Sequence, residues 1–282
     1  MVRYALRLLM ACASVVFCGT SCKEKIHPTG TDTVETVIIS DSLEADSLEE
    51  LISEEPISKA VDELFDDFFF NFAGNRKMQM KRICFPLTVI ENGQKRKVSK
   101  GQWKMERFFM PQGFYTLILD NRKQLELSKD TSIHHVVVEK ILLEEKRVKK
   151  YNFDRRNGCW MLTSVDDDGI INHHNASFLT FYERFATDSA FRMQSLHNPI
   201  LFTGPDPDDD FNMLTGEISP EQWPVVGPGE LPQKELYNII YGQQYTGSRQ
   251  KIFLIRGVAN GLEVELTFNY NEEKWELTAL TE

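Results

Sequence analysis

The chain has 282 residues, 32 Lys and Arg against 42 Asp and Glu for a formal charge of −10, 41% hydrophobic and 11% aromatic residues, and five cysteines. This composition excludes collagen-like, wholly disordered and disulfide-scaffold proteins, and the length predicts about two domains. A net acidic chain also argues against nucleic acid as a partner, because phosphate affinity comes from clustered Lys and Arg.

In chain order, residues 1–21 read as a signal peptide. Arg3 and Arg7 precede the apolar run Leu8 to Phe17, which is too short to span a bilayer and fits a secretory core segment. Gly19-Thr20-Ser21-Cys22 then resembles a bacterial lipobox, with Gly19 in place of the usual leucine, so Cys22 is the expected lipidation site. Two or three acyl chains make a stable anchor where one does not, which predicts a tethered envelope protein at the outer membrane, on its periplasmic or surface face. Residues 22–57 read as an acidic, aromatic-free linker whose like charges favour extension. Residues 31–67 carry thirteen acids against Lys59, and residues 68–282 carry 27 basic and 28 acidic residues. The charge therefore belongs to the tether and not to the body.

The body repeats itself. At an offset of 113, Phe65, Phe68, Phe72, Ala73, Met80 and Pro86 fall on Phe178, Phe181, Phe185, Ala186, Met193 and Pro199. The offset widens to 120 where Gln102-Trp103 meets Gln222-Trp223, then settles at 115 where Phe153, Trp160 and Leu162-Thr163 meet Phe268, Trp275 and Leu277-Thr278. Two α+β units, 58–168 and 175–282, are predicted, joined by His173-His174-Asn175, with Asp166–Gly169 as an inter-domain turn. Each unit opens with a helix whose aromatic residues lie at i, i+3, i+4 and i+7. A short strand starting at Pro86 or Pro199 follows. Residues 111–120 suit helix or strand equally, whereas 232–241 reads as a helix between Pro232 and Gly242. Each unit ends in a three-strand meander: 133–143, 146–154 and 159–165 in the first, 251–258, 262–270 and 274–280 in the second.

This arrangement of lipobox, acidic spacer, Phe-x-x-Phe-x-x-x-Phe-Ala helix, proline-led strand, Gln-Trp and terminal Trp-x-Leu-Thr strand resembles a Bacteroidetes family of lipoproteins of unknown function. Its domains are similar to the nuclear-transport-factor-2-like (NTF2-like) cone, a curved antiparallel sheet packed on N-terminal helices. The resemblance implies a fold and no activity, so no catalytic residue, cofactor or metal is carried over.

The cone can enclose a pocket, for which His134, His135, His197, Asp120 and Asp154 are the candidate bases. Adjacent His134 and His135 on a strand face opposite ways and cannot share one metal, and each candidate reads first as a surface or strand-edge residue. Asp206-Pro207-Asp208-Asp209-Asp210 has acids at three calcium-loop positions, but Phe211 stands where the loop needs glycine, which favours a solvated turn. The run Lys146–Lys150 reads as the exposed positions of an edge strand. Cys84 and Cys159 are disulfide candidates, or else two small buried hydrophobes. Trp103 and Trp223, at matched positions, are candidates to line a pocket, with core packing as the alternative. The leading functional reading is a non-catalytic module that binds an unknown small molecule or envelope protein. The alternative is an isomerase, dehydratase or hydrolase with one active cone, and a purely structural pair of domains is the third reading.

Overall fold

The computed structural model describes residues 62–206 and 209–282. The signal segment, Cys22 and the acidic linker lie outside the described residues. Among the described residues no helix is long and apolar enough to cross a membrane.

The first unit contains α1 (Phe65–Gly74), α2 (Arg76–Arg82), β1 (Ile83–Glu91), β2 (Gln94–Val98), β3 (Phe114–Leu119), β4 (His135–Leu142), β5 (Arg147–Arg156) and β6 (Cys159–Gly169). The second contains α3 (Ala176–Thr187), α4 (Ser189–Gln194), β7 (Leu196–Asp206), β8 (Asp209–Ile218), α5 (Trp223–Val226), β9 (Glu235–Ile240), β10 (Gln250–Gly257), β11 (Glu263–Asn271) and β12 (Lys274–Thr281).

Matched positions use the same local devices. Asn75 caps α2 by accepting from the Met78 amide, and Asp188 caps α4 by accepting from the Phe191 amide. The Gln79 side-chain amide donates to the Phe72 carbonyl at the end of α1, and the Arg192 guanidinium donates to the Phe185 carbonyl at the end of α3. Capping boxes at Ser99–Gln102 and Ser219–Gln222 precede Trp103 and Trp223. Pro86 and Pro199, each in a cis peptide, lie inside β1 and β7 and not at their starts. The pairing register with the parallel neighbour breaks beside each proline, so the missing ladder donor falls at an irregularity.

The units do not close as two separate sheets. The twelve strands of the described residues form one sheet in the order β2-β1-β6-β5-β4-β9-β3-β10-β11-β12-β7-β8. β9 pairs with β4 and β3 pairs with β10, both antiparallel, while β3 and β9 run parallel with Thr116 opposite Asn238. Each unit's third strand therefore lies beside the other unit's fourth.

The helix expected over 232–241 is instead β9. Leu236-Tyr237-Asn238-Ile239-Ile240 is aromatic and β-branched, and its central place in the sheet outweighs the flanking Pro and Gly. The expected inter-domain turn at Asp166–Gly169 is the last part of β6, whose ladder with β5 runs through to Gly169 opposite Arg147.

Two aromatic cores result, on opposite faces of the central strands. In the first, Phe65, Phe68, Phe69 and Phe72 of α1 surround Phe153 at ring distances of 5.3–5.9 Å, and Trp160 meets Phe65 edge-on. In the second, Phe178, Phe181 and Phe185 of α3 surround Phe268 at 5.2–5.6 Å. Along β10, Ile252 and Leu254 join the first core while Phe253 and Ile255 join the second. Burial on both faces explains why β3, β9 and β10 carry near-continuous apolar runs that lack an alternating pattern.

Candidate functional site

Three polar clusters among the described residues bear on a candidate site. At the seam between the units, Glu139 of β4 is fully buried. His173 Nε2 lies 2.8 Å from its Oε1, the Asn238 amide donates to its Oε2 at 2.9 Å, and Lys150 Nζ is 4.0 Å away. Burial alone would raise the Glu139 pKa, but the bonds from His173 and Asn238 and the nearby Lys150 outweigh it and hold the carboxyl below its ordinary range.

Glu139, His173 and His174 bring potential ligand atoms within 4.8 Å of one another. The hydrogen bonds oppose a metal there. The Asn175 backbone amide donates to His173 Nδ1 at 3.1 Å, so that nitrogen carries the lone pair and Nε2 carries the proton given to Glu139. The knot is filled by its own donors, with the His174 ring stacked on Tyr245. Next to it, Lys251 and Asp120 form a buried ion pair, and the Thr246 amide also donates to Asp120. This is the partner that sequence could not supply for Asp120.

The second place is an outer row on the first unit. His135 Nδ1 lies 2.8 Å from Asp154 Oδ1, and the Thr163 hydroxyl donates to Asp154 Oδ2 at 2.6 Å. Burial raises the Asp154 pKa, but Thr163 and His135 together bring it below its usual value. His135 is mostly exposed on the surface. A carboxylate with a lowered pKa and a solvated imidazole make a brace and a poor general base.

The third place is the corresponding row of the second unit, and here a groove forms. The offset of 115 carries His135, Asp154, Met161 and Thr163 onto Gln250, Asn269, Glu276 and Thr278. Gln250 lies opposite Asn269 across β10 and β11, and Asn269 lies opposite Glu276 across β11 and β12. With His197 of β7 they line a groove of about 940 Å³, to which Ser248, Arg249, Glu272 and Lys274 also contribute.

The Gln250 amide donates to Asn269 Oδ1, and Asn269 donates to Thr278 Oγ1. Glu276 takes Lys274 at 2.6 Å and His197 at 3.4 Å. These contacts outweigh partial burial and lower its pKa. The Arg249 guanidinium sits 5.7 Å from the centre of the Tyr270 ring. The groove thus presents amides, the carboxylates of Glu272 and Glu276, an imidazole, a guanidinium, an ammonium group and a hydroxyl, suited to hydrogen bonding with a polar ligand. The Glu276 carboxylate is held ionised, which suits binding better than proton abstraction.

The remaining sequence candidates lie elsewhere. Trp103 donates from Nε1 to Gln79 at 3.1 Å, and Trp223 is buried in the second core beside Phe185, so neither lines the groove. Cys84 and Cys159 are separate, half-buried thiols. Ile83 pairs with Leu162, which leaves Cys84 about four residues, or ~13 Å, along from Cys159 and beyond disulfide reach. The Lys146–Lys150 run is not at an edge, since β5 lies between β4 and β6. Its cations instead meet Glu183, Asp167 and Glu139. Asp206 and Asp209 flank the β7–β8 hairpin tip, of which residues 207 and 208 lie outside the described residues.

The curved sheet and its packed helices define an NTF2-like protein. The fold matches the crystal structure of an NTF2-like protein from Bacteroides fragilis with a TM-score of 0.74 and 37% sequence identity, covering 80% of this chain and 98% of that chain. Residues 44–282 match the model of a domain of unknown function, DUF4348, and the chain belongs to that family. No curated protein matches.

Proposed function

We propose that this protein is a non-catalytic binding module, exported and held at the cell envelope through lipid on Cys22, which takes a polar ligand in the groove lined by His197, Gln250, Asn269 and Glu276. The observation that carries this reading is the filling of the space an enzyme of this fold would use for its pocket. Between helix and sheet in the first half stand Phe65, Phe68, Phe69, Phe72, Phe108, Tyr151, Phe153 and Trp160, all buried. A ligand is then met from outside. The targeting half of the proposal is supported by Arg3 and Arg7, the short apolar run and the small residues before Cys22.

Saturation-transfer NMR against a mixture of small polar metabolites and oligosaccharides tests the groove. Binding that disappears in Asn269→Leu/Glu276→Leu supports it. Binding indifferent to those substitutions, or turnover of the bound compound, refutes it. Metabolic labelling with a radioactive fatty acid tests the anchor, and label retained in Cys22→Ala refutes that assignment.

A further inference from the structure

The two ends of the sheet are chemically unlike. β2 ends it on one side with Lys95, Arg96 and Lys97, all exposed. β8 ends it on the other with ten residues, Asp209 to Ile218, that include no Lys or Arg but do include Asp209 and Glu217. The seven-residue widening of the repeat offset falls between Pro199 and Gln222, so the second unit's hairpin is the longer one, and its edge strand has ten residues against five.

The extension is not absorbed by the core. Residues 212–217 are all exposed, and Leu201, Met213 and Leu214 are 48%, 51% and 52% accessible. An edge with exposed apolar side chains and no cation lacks the usual protection against added strands, whereas the cations of β2 repel a second β2 and leave it open to an acidic edge.

We propose that β8 receives β2 of a second copy of this chain, continuing the sheet head to tail. Pairing β8 with another β8 would bring its acids together, whereas pairing with β2 sets Lys95 and Lys97 beside Glu217. Lys95 and Lys97 share one face of β2, as Met213 and Glu217 share one face of β8, so the lysine stems can pack beside Met213 while an ammonium group reaches Glu217. Since the donor and acceptor edges differ, the contact leaves one free edge of each kind and extends as an open series, not a closed dimer.

The test is sedimentation velocity on the full chain with Cys22→Ala, so that acyl chains contribute nothing. From about 1 to about 500 µM at low salt, the average sedimentation coefficient should keep rising without a plateau at dimer, and it should fall back at about 0.5 M salt. Lys95→Glu/Lys97→Glu disables one edge and Leu214→Lys/Glu217→Lys the other, and all four positions are exposed, so both variants fold. Each variant alone should be monomeric, and their equimolar mixture should form a dimer that grows no further. A wild-type chain monomeric throughout, a self-associating Lys95→Glu/Lys97→Glu variant, or a mixture that stays monomeric would each overturn the proposal.

Discussion

Asp62 and Asn175 occupy the same place in the two units, and their surroundings have diverged. Asp62 makes a two-pronged buried ion pair with Arg82 and accepts the Trp160 amide. Arg82 corresponds to Ser195, and neither the amide nitrogen nor the oxygen of buried Asn175 has a hydrogen-bond partner among the described residues. Removing Asp62 strands a buried guanidinium, so Asp62→Leu is expected to cost about 3–5 kcal/mol. Asn175→Leu removes an unsatisfied amide and is expected to change stability by less than about 1 kcal/mol or to raise it. Urea denaturation of both variants measures the contrast, and equal losses would contradict it. Glu139 contributes to the pH dependence of stability. Because its folded pKa lies below the unfolded value, its stabilisation is complete above the ordinary glutamate range and is lost as pH falls through the depressed folded value. Glu139→Gln should lower stability at pH 7 by about 2 kcal/mol and flatten the decline of melting temperature on the acid side. An unchanged acid limb would show that Glu139 is not a principal group.

At the scale of elements, the exchange of third strands decides what folds. The first core includes Tyr237 and Ile239 of β9, and the second includes Ile118 of β3. Residues 58–172 and 173–282, produced separately, should therefore fail to form native structure and should regain it when co-expressed, as read by co-purification and near-UV circular dichroism. A half that folds alone as a monomer would contradict this. The aromatic helices and the terminal meanders were legible because each buries one face, leaving a clean 3.6- or 2-residue period. β9 was not, because a strand buried on both faces has no period of its own and Pro232 and Gly242 mimic helix boundaries. The exchange itself is a choice of neighbour, which no local pattern encodes. Half of the groove was within reach: offset 115 already set Asp154 against Asn269 and His135 against Gln250. The burial of Glu139 was hidden, since a glutamate followed by Lys140 on a strand reads as a solvent-facing position.

For the molecule as a whole, two cores that share a sheet and trade strands should unfold together. Scanning calorimetry should give one transition, and Phe153→Ala in the first core or Phe268→Ala in the second, each costing about 3–5 kcal/mol, should shift that single peak without splitting it. A resolved second peak in either variant would show that the halves are independent. The same exchange orders events in time for a chain emerging from its N-terminus. The first unit's own strands are out once Gly169 has passed, yet its core also needs Tyr237 and Leu254. Residues 62–169 thus have no complete interior to lock into while the next eighty or so residues emerge. A chain built this way stays threadable through a narrow channel until nearly all of it has passed, and then both interiors close in one step.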